Sequence, residues 1–421
     1  MQSPDPRAAI VGRVAESAGD LIALTRQFVA APSPNPPGDV TAAAAVALAF
    51  LRAINGAEVE RFEPAPGIVN VVARIAGGRA GRRLVFNGHL DTFPVGADLA
   101  WTVPPFGGVL ADGRLYGRGV SDMKGGIAAS MIAARALAEH RASWPGEIVI
   151  TLAGDEENMG SLGTRWLLDH VPQARGDAMI CGDVGSPQIV RFGEKGLLWI
   201  EIEAAGSPAH GAHVHKGINA IDRLRAALDA LKRAEDIAVA APPHVAAAIA
   251  AAKHVSEPLS GVGEADTLQR VTVNIGTIAG GTSANLVPAS ASAKADIRLP
   301  IGVGTEMVEA KLREWLGAID GVTWRVMRRY EPRYTDPDHQ IVCCVTDAAH
   351  EVLGERPVVN MRVGGSDARL YRMDGIPSVV FGCTPFNMGG PDENILIDEL
   401  VAVAKVHALA AFDFLNSSHR E

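Results

Sequence analysis

The sequence predicts an α/β protein: a doubly wound, mostly parallel sheet interrupted by an inserted ferredoxin-like βαββαβ unit. Three observations predict it. Short apolar runs alternate with helical stretches as far as Glu194, the pattern of a parallel sheet covered on both faces. The order then changes to strand, helix, strand, strand, helix, strand. After Tyr334-Thr335-Asp336-Pro337-Asp338 the α/β pattern resumes. A chain of 421 residues exceeds one ordinary core. The expected division is a first domain of residues 1–194 and 335–421 and a second of residues 195–334.

Residues 7–30 read as one amphipathic helix, ended by Ala31-Pro32-Ser33-Pro34-Asn35-Pro36-Pro37-Gly38. Residues 39–54 form a second, Ala-rich helix. Strands are expected at 68–75 and 83–87, a helix at 124–140, a strand at 147–153, a helix at 161–169 and a strand at 178–181. In the inserted unit, strands at 197–204, 269–278, 290–299 and 322–328 are joined by helices at 219–233 and 305–319. The Ala/Pro-rich stretch 239–263 adds a helix and a loop. The last part supplies a helix at 340–353, which holds Cys343 and Cys344, a strand at 378–382 and a terminal helix at 397–416.

Composition excludes several classes of partner. Hydrophobic residues make up 48% and charged residues 21%, as in ordinary globular proteins. The net charge is -9 and no Lys/Arg block stands out, which argues against nucleic acid. Met1-Gln2-Ser3-Pro4-Asp5-Pro6 lacks the basic and apolar segments of a signal peptide. The Ala-rich runs are too short or too interrupted by charge to span a membrane. Four cysteines without CxxC spacing read as reduced thiols, and hence a cytoplasmic protein.

The chemistry begins at Gly88-His89-Leu90-Asp91-Thr92, which closes the apolar run Leu84-Val85-Phe86. Residues two apart at a strand end project to the same side, which suits a metal ligand, His89, and the carboxylate that orients it, Asp91. Asp122 lies in Tyr116-Gly117-Arg118-Gly119-Val120-Ser121-Asp122-Met123-Lys124-Gly125-Gly126, a glycine-rich loop entering a helix. The loop lacks the third glycine of a dinucleotide fingerprint and any GK[ST]. Taken alone, Asp122 reads as a helix N-cap. The flanking glycines also let the backbone pack closely round a carboxylate able to bridge two cations. Asp155-Glu156-Glu157 follows the apolar strand at 147–153, where three adjacent acids repel one another unless a cation offsets them. Adjacent side chains point apart, so one Glu can bind metal while its neighbour faces the attacking water. Asp183 follows Cys181-Gly182 in the same way. In a doubly wound sheet such strand ends face the ligand crevice.

Taken together these motifs resemble the M20 metallopeptidase family, which includes deacylases and carboxypeptidases. The resemblance extends through Gly206-Ser207-Pro208-Ala209-His210, Gly217-Ile218-Asn219-Ala220-Ile221, Ser283-Ala284-Asn285-Leu286-Val287-Pro288, Asp296-Ile297-Arg298-Leu299-Pro300 and Gly364-Gly365-Ser366-Asp367-Ala368-Arg369. It implies a catalytic domain carrying an inserted lid and dimerisation domain, a homodimer formed through that lid, and hydrolysis of an amide-type carbon–nitrogen bond in a small carboxylate-bearing substrate. It implies that His89 and Asp183 bind the first metal, that Asp122 bridges two metals, and that Glu157 binds the second. Glu156 is implied as the general base, with Asp91 orienting His89 and His210 steadying the developing oxyanion. Asn285 and Arg298, with Arg369 as a weaker candidate, are implied for the substrate carboxylate, since a guanidinium grips a carboxylate bidentately. His213 and His215 read as surface residues.

One ligand departs from the pattern. The family carries a last metal-binding His shortly before a Pro-Asp-Glu turn. Aligning on Pro391-Asp392-Glu393 puts Gly389 in that position, and His407 lies in the terminal helix. The expectation is one tight divalent-metal site formed by His89, Asp122 and Asp183. A second site is left to Asn387, Asp392 or Cys383. An oxygen-rich set with one imidazole admits Zn²⁺, Mn²⁺ or Co²⁺. The loss leaves two alternatives to the amide hydrolase: a single-metal hydrolytic deaminase of an aromatic amine such as an aminobenzoate, and an inactive small-molecule-binding homologue.

Overall fold

The computed structural model describes residues 5–96 and 99–417. The first four residues, read above for a leader, and Asp98 lie outside the described residues. The chain divides into two compact units. One comprises Met1–Phe192, Thr335–Asn360 and Ser366–Glu421, and the other Gly193–Tyr334 with Met361–Gly365.

The first unit is built on a large mixed sheet. Its central strands run in the order Pro145–Ala153, Arg79–His89, Ala178–Cys181, Ser378–Val380 and pair in parallel. Antiparallel strands extend it: Ile68–Ala76 and then Ala57–Ala65 beside Pro145–Ala153, and Ile189–Glu194 beside Ser378–Val380. The central strands are continuous buried runs, as sheets covered on both faces require. The helices Gly125–Glu139, Gln340–Leu353 and Ile397–Asn416 pack here. Residues 7–30 form two helices, Pro6–Glu16 and Ala18–Val29, because the chain breaks at Ser17, whose hydroxyl bonds the Arg13 carbonyl.

Two devices bring the strand ends together. Gly126 opens the helix Gly125–Glu139 against the turn after Ala178–Cys181: a Cβ there would lie 1.8 Å from the Gly182 carbonyl oxygen. Only glycine permits that approach. Gly119, at φ +77, fills the second device; a Cβ would meet Thr92 Cγ2.

The second unit contains a four-stranded antiparallel sheet in the order Thr272–Gly280, Ser290–Leu299, Gly196–Ala205, Val322–Tyr330. Numbered by sequence this is 2-3-1-4, the ferredoxin-like arrangement. The helices Ala220–Lys232 and Thr305–Gly317 cover the sheet, burying Ile200, Ile202, Ile297, Leu224 and Leu312 between them. Asn219 caps the first of these helices by accepting from the Ile221 and Asp222 amides. The stretch read as an added helix and loop forms Pro243–Ser260 and, beyond it, the short helix Glu264–Gln269.

Candidate metal centre

His89 ends the strand Arg79–His89 and is buried. Its Nδ1 lies 2.9 Å from the Asp91 carbonyl oxygen and 3.4 Å from Asp91 Oδ1. Its Nε2 lies 3.0 Å from Asp122 Oδ1. Asp91 is fully buried and held from three directions. Its Oδ2 accepts from Asn35 Nδ2 at 2.9 Å and the Glu157 amide at 3.0 Å, and its Oδ1 accepts from the Glu156 amide at 3.1 Å. Asp91 therefore holds the imidazole through its carbonyl, with its carboxylate at ion-pair distance, and holds the Glu156-Glu157 turn through that carboxylate.

Asp122 is not a helix cap. It lies in the turn Val120–Lys124, ahead of the helix Gly125–Glu139, whose cap residue is Lys124. The loop before it is held by Glu393. Glu393 Oε2 accepts from Arg118 Nη1 at 2.6 Å and the Gly119 amide at 3.1 Å, and Oε1 accepts from the Ser121 amide at 3.0 Å and hydroxyl at 2.7 Å. Asp183 is buried at the end of Ala178–Cys181, its Oδ1 accepting from the Val184 amide at 2.5 Å.

His89, Asp122 and Asp183 each offer one ligand atom, and those atoms lie within 4.8 Å of one another. Burial, with Asp183 nearby, pushes the Asp122 carboxyl up to about 6 despite its contact with His89. Burial opposes a charged imidazole at His89, but Asp122 and Asp91 outweigh it and hold its pKa well above the ordinary value. Burial and the charge of Asp122 push the Glu157 carboxyl up to about 10, and Glu157 Oε1 is buried with no hydrogen-bond partner. Crowded acids beside one imidazole, one of them orphaned, are what a divalent cation relieves, so this donor set fits one.

Glu157 is outside the three-residue group, and so are Asp392 and Cys383. Asp392 instead holds the chain before Phe106, accepting from the Thr102 amide at 2.9 Å and hydroxyl at 2.8 Å. Gly389 has φ +72, and a Cβ built there would make an ordinary contact with Phe93 Cδ2 at 3.7 Å. His407 is buried elsewhere, its Nε2 2.8 Å from the Phe381 carbonyl oxygen and its Nδ1 3.1 Å from the Ser130 hydroxyl.

Glu156 starts the turn Glu156–Asn158, and its Oε1 accepts from Arg369 Nη1 at 3.0 Å. His210, Asn285 and Arg298 belong to the second unit. His210 and Asn285 are neighbours there: the Gly211 amide donates to the Asn285 carbonyl at 2.7 Å, and His210 bridges to Leu286. Both are exposed, as are His213 and His215. Arg298 Nε donates to both oxygens of Asp296, at 2.9 and 3.0 Å.

Sequence reasoning missed Asn35 and the anchoring role of Glu393. Asn35 sits in a proline-rich break and Glu393 served only to align a turn. A polar side chain among prolines, beside a buried site, was the available signal for the first.

A mostly parallel sheet with an acid and imidazole cluster at its strand ends, suited to a divalent cation, is the frame of a metallohydrolase. Residues 85–413 match Peptidase family M20/M25/M40, and the chain belongs to that family, a metallohydrolase acting on carbon–nitrogen bonds. It is 31% identical over 403 residues to a succinyl-diaminopimelate desuccinylase of Rhodospirillum centenum, covering 93% of this chain and 96% of that one. It is 33% identical over 409 residues to a succinyl-diaminopimelate desuccinylase of Methylorubrum extorquens, covering 92% and 96%. The fold is similar to that of human carnosine dipeptidase 1, with a TM-score of 0.79 at 17% identity over 98% of this chain and 100% of that one. Among the described residues, no helix is long and apolar enough to cross a membrane.

Proposed function

We propose that the protein hydrolyses the amide bond of an N-acyl amino acid or a similar small carboxylate-bearing substrate, using one tightly held divalent cation and Glu156 as general base. The observation that carries the reading is the group of buried His89, half-buried Asp122 and buried Asp183, wired through Asp91 to the turn that bears Glu156. A bound divalent cation supplies Lewis-acid polarisation and lowers the pKa of water to near neutrality. The chain's own residues do the rest. Asp91 fixes the ring of His89 and sets the position of the Glu156 backbone. Glu156 takes the proton of the attacking water at a carboxylate oxygen and returns it to the departing nitrogen. His210 steadies the developing oxyanion, and Asn285 and Arg298 hold the substrate carboxylate. Two chains associate through the second unit.

Succinyl-diaminopimelate is the first substrate to test, from the names of the two relatives above. The empty side-chain position at Gly389 favours a second reading, hydrolytic deamination of an aminobenzoate at one metal. Purified protein loaded with Zn²⁺, Mn²⁺ or Co²⁺ should cleave a member of an N-acyl amino acid panel and release a carboxylate. Ammonia released from aminobenzoates, with no carboxylate product from any N-acyl compound, would replace the first reading by the second. Glu156→Gln should lower kcat by roughly 100- to 10,000-fold, the usual range for a general base. Wild-type turnover in that variant would remove Glu156 from the mechanism.

A further inference from the structure

Arg369 is an expected partner for a substrate carboxylate, yet its surroundings are those of an internal brace. Its side chain is only 3% exposed. Nη1 donates to Glu156 Oε1 at 3.0 Å and to the Ser366 carbonyl at 2.6 Å, and Nη2 donates to the Met159 carbonyl at 2.9 Å. Glu156 and Met159 are the first residue and the C-cap of one short turn. The guanidinium thus clamps the turn at both ends: the Glu156 carboxylate on one side and the closing carbonyl on the other.

The surroundings explain why a clamp is needed. Met159 has φ +74, and Gly160 follows at φ +73. The adjoining side chain, Asp367, is buried with Oδ2 accepting from the Thr164 hydroxyl at 2.6 Å. A Cβ at Gly160 would lie 2.7 Å from Asp367 Oδ1, so the turn is seated directly against that carboxylate. Arg369 is the cation that touches Glu156 and keeps one of its oxygens fixed, which leaves Oε2 as the oxygen outside that bond.

We infer that Arg369 is a positioning residue for Glu156 and does not read the substrate carboxylate. The inference rests on Glu156 being the general base. It is tested by steady-state kinetics on the metal-loaded enzyme with succinyl-diaminopimelate, or with whichever panel compound turns over fastest. Arg369→Gln should lower kcat about 100-fold, a loss within the range of general-base catalysis, and leave KM within about threefold. Arg369→Lys keeps the charge and the fold but lacks the fork, and should recover about tenfold of that loss. In a Glu156→Gln background, adding Arg369→Gln should change kcat by less than about twofold, because the two residues act as a unit. Calorimetric titration of Glu156→Gln with and without Arg369→Gln should give the same Kd for the same compound.

A KM raised about tenfold at unchanged kcat in Arg369→Lys, with a weakened Kd in the calorimetry, would overturn the inference and make Arg369 a substrate residue. Wild-type turnover by Glu156→Gln is a different failure: it removes the base itself, and the positioning role with it. Losses in Glu156→Gln and Arg369→Gln that multiply in the double variant would sink only the positioning role.

Discussion

At the His89 end of the site the imidazole and its scaffold form one unit, whereas at the Phe386–Asn394 end the scaffold persists without an imidazole. His89 is gripped by Asp91, and Asp91 is gripped by Asn35 and two backbone amides. The other segment is just as firmly tied. Phe386 and Asn394 exchange amide-to-carbonyl bonds, Asp392 holds residues 102 and 103, and Glu393 organises the loop that carries Asp122. Its buried ion pair with Arg118, at 2.6 Å, has both side chains 1% exposed. The difference teaches that binding a cation and shaping the loops around it are separable duties. Gly389 has no side chain for the first, yet its carbonyl still accepts from Arg118 Nη2 at 2.9 Å and so serves the second.

Four experiments press on this contrast. If His89 is the sole imidazole on the cation, His89→Ala should abolish tight metal binding and drive turnover below detection. Metal analysis after gel filtration checks it, and one retained equivalent per chain would put the ligand burden on the other segment. Glu393→Ala should destabilise the fold by about 3–5 kcal/mol, because it strands the buried Arg118 charge. Denaturant titration measures the loss, and a cost under about 1 kcal/mol, the worth of a surface pair, would mean that the segment is not a scaffold.

The third test uses His407, a second buried histidine with no acid in contact. Burial drives its pKa down to about 4, against 6.5 unperturbed. A folded-state pKa below the unfolded one means that the unfolded chain takes the proton first. Stability is therefore complete above pH 6.5 and falls as the pH drops towards 4, by roughly 3 kcal/mol in total. In His407→Gln that part of the slope should vanish between those pH values. An unchanged slope would show that His407 titrates alike in the folded and the unfolded chain. The smallest effect belongs to Gly389→His. Its positive φ should cost about 1 kcal/mol, histidine being among the residues more tolerant of that region. Its gain is diagnostic: metal per chain should rise from one towards two. A ratio that stays at one would mean that the segment no longer points a side chain at the cation.

Much of the fold is readable in the sequence because buried periodicity is local. The strands Ala178–Cys181 and Ser290–Leu299 and the helices Gln340–Leu353 and Ile397–Asn416 fall at the expected residues. The strand Ala57–Ala65 is not among the expected elements. Its sequence, Ala57-Glu58-Val59-Glu60-Arg61-Phe62-Glu63, lies at a sheet edge and carries four charges, the adjacent pair Glu60-Arg61 breaking the alternation, which reads as a loop until a partner is known. The break at Ser17 is hidden because the apolar period continues across it.

At the site, acids at strand ends are legible because topology alone puts them at one edge of the sheet. Contacts between distant residues are not. Glu156 and Arg369 are 213 positions apart, and Ser121 and Glu393 are 272 apart. No local pattern marks such pairs. The role of Arg369 escapes the sequence for the same reason: its residue type suggests a carboxylate partner, and only the fold brings an internal one to it.

The Asp91 carboxylate has a consequence for how this protein can change. It lies 3.4 Å from the imidazole on one side and accepts from the amides of Glu156 and Glu157 on the other, so under the proposed mechanism cation affinity and proton transfer share one hinge pin. Under that mechanism a lineage can vary position 389 and alter a single property. It cannot alter Asp91 without disturbing two at once, so variation should accumulate at the Gly389 end and stay frozen at the other.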